Sequence, residues 1–268
     1  MPSDANLKLR VLSLGAGVQS TTLALMAAHG EIGPMPDCAI FSDTGDEPAD
    51  VYEHLRWLMS PNVLPFPVYI VSAGRLSDSL MAGNEAARIP FYVGTGGLSG
   101  RQCTRNFKIR PIRKKVRDLL GKLGRAYVPP CSVEQWVGIS TDEAVRQKPS
   151  GVKFITNRHP LIEKWISRRD CVAWLKLHGY PVPPKSACIY CPFQRNAQWR
   201  DRKAQPDEWS RIVEIDEWLG EPAQVSRFRG RNFVHHSRQP IASVDISEAD
   251  LPLFGGAFGQ ECEGMCGV

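Results

Sequence analysis

The chain has 268 residues, 43% of them hydrophobic and 23% charged, with a formal net charge of +5. That balance is ordinary for a soluble globular protein with a sizeable core. No apolar run approaches the ~18 residues of a membrane helix, and the opening MPSDANLKLR has no apolar signal core, so a cytoplasmic protein with no membrane partner is expected.

In chain order, residues 8–14 read as a buried strand and 20–29 as a helix. PDCAIFSDTGDEP reads as a second strand ending at Asp43-Thr44-Gly45, ADVYEHLRWLMS as an amphipathic helix, and FPVYIVSAG as a third strand. This β-α-β-α-β rhythm predicts a parallel sheet with helices on both faces. VGTGGLSGR is a Gly-rich loop, IRPIRKKVRDLLGKLG a basic helix, and EQWVGIST a further strand followed by Asp142, Glu143 and Arg146. Ser167 caps a helix over SRRDCVAWLKLHGY, with Asp170 placed for a capping box. A Pro-rich loop then carries Cys188-x-x-Cys191, and QPDEWSRIVEIDEWLGE is a helix with a broad apolar face. The last 35 residues read as loops. The division expected is a nucleotide-binding α/β domain over 1–165 and a helical, loop-rich region over 166–268.

Ligands of such sheets bind beyond the carboxyl ends of the strands. Two small-residue segments lie at that edge: Gly15–Ser20, between strand and helix, and Asp43–Gly45. A turn of small residues exposes backbone N–H groups, and the helix dipole adds partial positive charge, so the first segment suits phosphate. It lacks the Gly-Lys-Ser/Thr ending of the common P-loop, and Ser20 stands where G-x-G-x-x-G needs its last glycine. Basic stretches at 101–117, 194–203 and 226–233 suit the same chemistry, in a nucleotide or a nucleic acid.

There are eight cysteines, and without a secretion signal they are not expected to be disulfides. Cys38, Cys131 and Cys171 lie in or beside apolar segments and read as buried thiols. Cys188 and Cys191 have metal-ligand spacing, Cys262 and Cys266 form a C-terminal pair, and Cys103 sits among basic residues that favour its thiolate. His235 and His236 are a candidate metal or acid–base pair. Trp199, Trp209 and Trp218 are candidates for base stacking or for core.

Taken together, these stretches resemble one family. SLGAGVQSTTLAL resembles the pyrophosphate loop of the PP-loop ATP pyrophosphatases. FSDTGDEPADVYEHL, CTRNFKIRPI, VGISTDEAVR, HPLIEKWISRRDCVAWLKLHGYPVP and SACIYCPF follow in the order seen in the phosphoadenylyl-sulfate (PAPS) reductase branch. The tail resembles endings in phage and bacterial PAPS-reductase-like relatives. The resemblance implies a Rossmann-like (HUP-type) α/β fold with a Cys-containing C-terminal extension. It also implies chemistry at the α-phosphate of ATP: a carbonyl oxygen is adenylated, pyrophosphate leaves, and a nucleophile displaces AMP.

Carried over residue by residue, it places Gly15, Ala16, Gly17, Val18, Gln19 and Ser20 on pyrophosphate and Ser13 at the nucleotide, with Mg²⁺ expected. Asp43, Thr44 and Gly45 fall on the nucleotide, with Asp43 on magnesium or ribose and Asp43 or Asp46 as the metal carboxylate in place of Gln19; Gly138 and Ile139 fall beside adenine, and Lys108, Arg110 and Arg146 on phosphate. Cys103, Cys188 and Cys191 become ligands of a 4Fe–4S cluster, completed by Cys262 or Cys266 or left open to carry sulfide, with structural zinc as the alternative metal. Cys103, Lys108 and Cys262 are the candidate catalytic residues. The sulfur acceptor is a nucleotide or a nucleic acid such as tRNA or DNA, served by a sulfur donor, and a homodimer is one expectation. A second reading, carried by Glu261-Cys262, is a sulfonucleotide reductase that takes PAPS or adenylyl sulfate and a thioredoxin-like reductant. A third is a nucleotide-binding module with structural zinc and no turnover. Its support is Ala16 and Gln19, which stand where the family has glycine and aspartate.

Overall fold

A computed structural model describes residues 6–122, 124–228 and 230–247, and Cys262 and Cys266 lie outside them. The core is a five-stranded sheet in which β1 (Leu9–Leu14), β2 (Cys38–Asp43), β3 (Val68–Ser72), β5 (Val133–Val137) and β6 (Ile155–Arg158) run in the order β3-β2-β1-β5-β6. All four pairings are parallel. This is the Rossmann-like arrangement expected, with the order reversing at β1. Leu12 of β1 is registered against Ala39 on one side and Trp136 on the other.

Central strands covered on both faces are apolar throughout, and edge strands are not. LRVLSL and CAIFSD are almost wholly buried, whereas VYIVS at one edge leaves Ile70 half exposed. The period-2 alternation of β1 divides the core. Leu12 and Leu14 face α1 (Val18–Ala28), α2 (Ala49–Leu58) and α6 (Arg168–Leu177), through Leu23, Leu55 and Leu175. Val11 faces Ile112 and Val116 of α4 (Arg110–Leu119) on the other side. The capping box of α6 forms as expected: Ser167 Oγ accepts from the Asp170 N–H, and Asp170 Oδ2 accepts from the Ser167 N–H at 2.9 Å. The basic helix begins with a π-helical turn at Thr104–Ile109, a geometry often found at functional sites.

The chain divides into two units. The first, through Ala73 and again over Thr104–Ser186, contains the parallel sheet. The second, Gly74–Cys103 and the described residues from Ala187 on, contains α3 (Leu76–Met81), α7 (Asn196–Lys203), α8 (Pro206–Leu219) and α9 (Pro222–Phe228). It also holds an antiparallel pair, β4 (Tyr92–Val93) with β7 (Asn232–Phe233). Asp216 of α8 organises it: the buried carboxylate accepts from the Val234 N–H at 2.9 Å and the Ile241 N–H at 3.0 Å. Burial pushes the Asp216 carboxyl up from its ordinary range. No helix among the described residues is long and apolar enough to cross a membrane.

Candidate nucleotide site

The β1–α1 turn sits where the sheet order reverses, at the carboxyl end of β1. Ala16 there has φ +58°, a left-handed conformation that non-glycine residues enter at a cost. The turn closes on itself, because Ser20 Oγ accepts from the Gly15 N–H at 3.2 Å. Gly17 is the N-cap of α1. No side-chain hydrogen bond caps the helix, and its first turn holds no acidic residue. A helix start of this kind presents donors and positive potential to an anion. Gly138, just past β5, packs against the turn so closely that a Cβ there would lie 2.9 Å from the Ser20 nitrogen and Cα. The glycine is therefore a steric requirement of the β1/β5 crevice.

The first helical turn is polar yet buried: Gln19, Ser20, Thr21 and Thr22 are at most 1% exposed. Gln19 ties three segments together. Its amide nitrogen donates to Glu143 Oε2 at 3.2 Å and to Ser140 Oγ at 3.4 Å, and its carbonyl oxygen accepts from Arg168 Nη1 at 2.9 Å. Arg146 pairs with the same Glu143. A neutral amide is the group that can face a cation and a carboxylate at once, which is a physical reason for glutamine at this position. Thr21 Oγ1 lies 3.0 Å from His54 Nε2, and burial pulls the His54 imidazole down to about 4, so the ring is neutral at pH 7.

At the neighbouring strand end, Asp43 Oδ1 accepts from the Gly45 N–H and the Tyr52 hydroxyl, each at 2.7 Å. Thr44 is buried, and Gly45 takes φ +75°. Burial and the Asp43 carboxylate push the Tyr52 phenol upward. Lys108, expected on phosphate, makes a buried ion pair with Glu47 at 3.1 Å, and Ser186 Oγ donates to the other Glu47 oxygen at 3.3 Å. Ser13 and Ile139 are buried at the ends of β1 and β5. Glu47, Ser140 and Arg168 had no signal in the sequence as site residues, because their partners lie far away in the chain.

The second unit holds Cys103, Cys188 and Cys191. Cys188 is buried and the other two are partly exposed. The Cys191 N–H donates to the Cys188 carbonyl at 2.8 Å, and Gln194 Nε2 bonds the Ile189 and Cys191 carbonyls. The Cys103 N–H donates to the Arg88 carbonyl at 3.1 Å. Tetrahedral zinc needs thiolates about 3.8 Å apart. Among the described residues, the set of three ligands with atoms within 4.8 Å of one another is His29, Glu31 and His178, not these cysteines. Cys262 and Cys266, the other two cysteines expected at a metal, lie outside the described residues. Of the remaining candidates, His235 is buried between Asn196 and Ser237, Trp199 is core, and Cys38 is a buried thiol pushed up to about 12 by desolvation.

No family model matches the chain, and no curated protein matches it. Among solved structures it is similar to the crystal structure of phosphoadenylyl-sulfate (PAPS) reductase from Candida auris in a phosphate complex. The identity is 12% and the TM-score 0.45, over 68% of this chain and 78% of that one. Resemblance at that level leaves function to be argued from the residues.

Proposed function

We propose that the protein is a PP-loop type enzyme that binds ATP at the β1–α1 turn and cleaves it between the α- and β-phosphates, activating an acceptor for sulfur transfer. The observation that carries the reading is the position of that turn: an uncapped helix N-terminus, with Ala16 held left-handed and Gly138 packed behind it, at the switch point of a parallel sheet. The triphosphate lies along the N–H groups of the turn, and Arg168 and Arg146 supply positive charge beside the Gln19–Glu143 link. An acceptor oxygen attacks the α-phosphorus, the bond to the bridging oxygen breaks, and pyrophosphate leaves with that electron pair. Asp43, a half-buried carboxylate at the same edge, fits a cation that keeps most of its ligands from water and phosphate, as magnesium does. Magnesium there would neutralise charge on the leaving pyrophosphate. The sulfur-transfer leg rests on Cys103, Cys188 and Cys191.

The test is the product of ATP turnover by anaerobically purified full-length chain, resolved by ion-exchange chromatography. AMP with pyrophosphate supports the reading. ADP with inorganic phosphate overturns it, as does sulfite released from PAPS by a protein that leaves ATP intact.

A further inference from the structure

The described residues contain one cluster with metal-ligand geometry, and it lies at the opposite end of α1 from the nucleotide turn, about 16 Å away along the helix axis. We propose that His29, Glu31 and His178 bind a late first-row divalent ion of the zinc class, pinning the end of α6 to the end of α1. Nothing in the nucleotide chemistry calls for this site, and its standing does not depend on that chemistry.

The two histidines occupy matching positions. His29 is the C-cap of α1 and His178 the C-cap of α6. Each precedes a glycine in the left-handed conformation, Gly30 at φ +77° and Gly179 at φ +72°. Each helix ends with the same two hydrogen bonds: Gly30 N–H to Ala27 O and Glu31 N–H to Met26 O in one, Gly179 N–H to Lys176 O and Tyr180 N–H to Leu175 O in the other. These locked caps fix Glu31 and Tyr180 at equivalent places. Two helix C-termini, each with partial negative charge, thus meet at one carboxylate, and the potential favours a cation.

The protons point the same way. His178 Nδ1 lies 2.9 Å from the Trp174 carbonyl, which only accepts, so Nδ1 carries a hydrogen and a neutral ring has its lone pair on Nε2. That Nε2 sits 3.8 Å from Glu31 Oε1, also a lone-pair donor. The gap is too long for a hydrogen bond and close to the ~3.3 Å between donors on a tetrahedral zinc ion. All three ligand atoms lie within 4.8 Å of one another on exposed side chains that can rotate through the difference. Supporting groups are already present. Trp174 Nε1–H donates to both Glu31 oxygens, at 3.2 and 3.0 Å, and the Tyr180 hydroxyl is 2.8 Å from His29 Nε2. Outer contacts of this kind orient metal ligands. Two imidazoles and one carboxylate suit Zn²⁺, Ni²⁺ or Cu²⁺, with the fourth position left to water.

The test is a calorimetric titration of Zn²⁺ into the chelator-stripped full chain, comparing wild type with His29→Gln and His178→Gln. All three proteins keep every cysteine, so thiol binding cancels in the difference. The expected result is one zinc equivalent fewer in each variant, with a larger zinc-dependent rise in Tm in the wild type than in either variant. Trp174→Phe keeps the ligands and should weaken that equivalent by about 10–100-fold. Equal zinc stoichiometry and affinity in wild type and both variants would overturn the proposal. So would histidine-ring NMR showing His178 protonated against Glu31 at pH 7 and unmoved by zinc. Should a histidine variant fail to fold, Glu31→Gln, which retains both rings, gives the same comparison.

Discussion

Replacing Lys108 with methionine removes the cation from a buried ion pair whose side chains are 6% and 1% exposed. At 3.1 Å and an effective dielectric near 20, the attraction is about 5 kcal/mol. Most of it offsets the cost of taking both charges out of water. Deleting one partner leaves that cost without its compensation, and breaking a buried pair costs about 3–5 kcal/mol. Glu47 keeps the Ser186 hydroxyl, so the lower half of that range is expected for Lys108→Met. The Lys108→Met/Glu47→Gln double variant, neutral at both positions, should recover most of the loss. Urea unfolding of the wild type, both single variants and the double variant would give a coupling of about 2–4 kcal/mol. Glu47 in Lys108→Met should take up a proton, its folded pKa rising above the unfolded value. The single variant should therefore be least impaired in mild acid and lose stability as pH rises. A cost under about 1 kcal/mol with no coupling would refute the reasoning. Lys108 would then be available to phosphate, as the family resemblance implies.

Three other outcomes follow from the same geometry. His54, ordinarily near 6.5 and held at about 4, stays neutral in the fold while the unfolded chain binds a proton. Stability is therefore intact above pH 6.5 and falls towards pH 4 by up to about 3 kcal/mol; His54→Gln should flatten this, and an NMR titration of the ring above pH 6 would contradict it. Gly138→Ala forces a Cβ to within 2.9 Å of the Ser20 backbone and should cost about 1–3 kcal/mol. It should also weaken ATP binding in calorimetry, and unchanged Tm and affinity would mean that the β1/β5 crevice is looser than described. Gln19→Glu sets a carboxylate against Glu143, which the amide nitrogen now approaches to 3.2 Å. One of the two should hold a proton with a raised pKa, so the penalty should be small near pH 4 and grow towards pH 8. A pH-independent penalty in a series of denaturation midpoints would contradict it.

The parts legible in the sequence are those set by local physics. Apolar runs marked β1 and β2 as strands covered on both faces, and Ser167 with Asp170 marked a helix start because both partners lie within one turn. The tight strand-to-helix turn between β1 and α1 was readable from its small residues. What escaped was non-local. The Gln19 network joins residues 121 to 149 positions apart, and the pairing of β4 with β7 joins two-residue strands from opposite ends of the second unit. The π-helical turn before α4 carries the same basic, apolar pattern as an α-helix, so periodicity could not distinguish it. His29, Glu31 and His178 show only as two His-Gly helix ends, and nothing in the chain says that those ends meet.

The central claim is that a nucleotide triphosphate occupies the β1–α1 turn. Hydrogen exchange of the full chain with and without ATP and Mg²⁺ tests it most directly, because it reports which amides the ligand covers. The account predicts slowed exchange in peptides spanning Gly15–Ser20 and Gly138–Arg146, with the rest of α1 little changed. ATP that leaves both segments exchanging at the rate of the apo protein would contradict it.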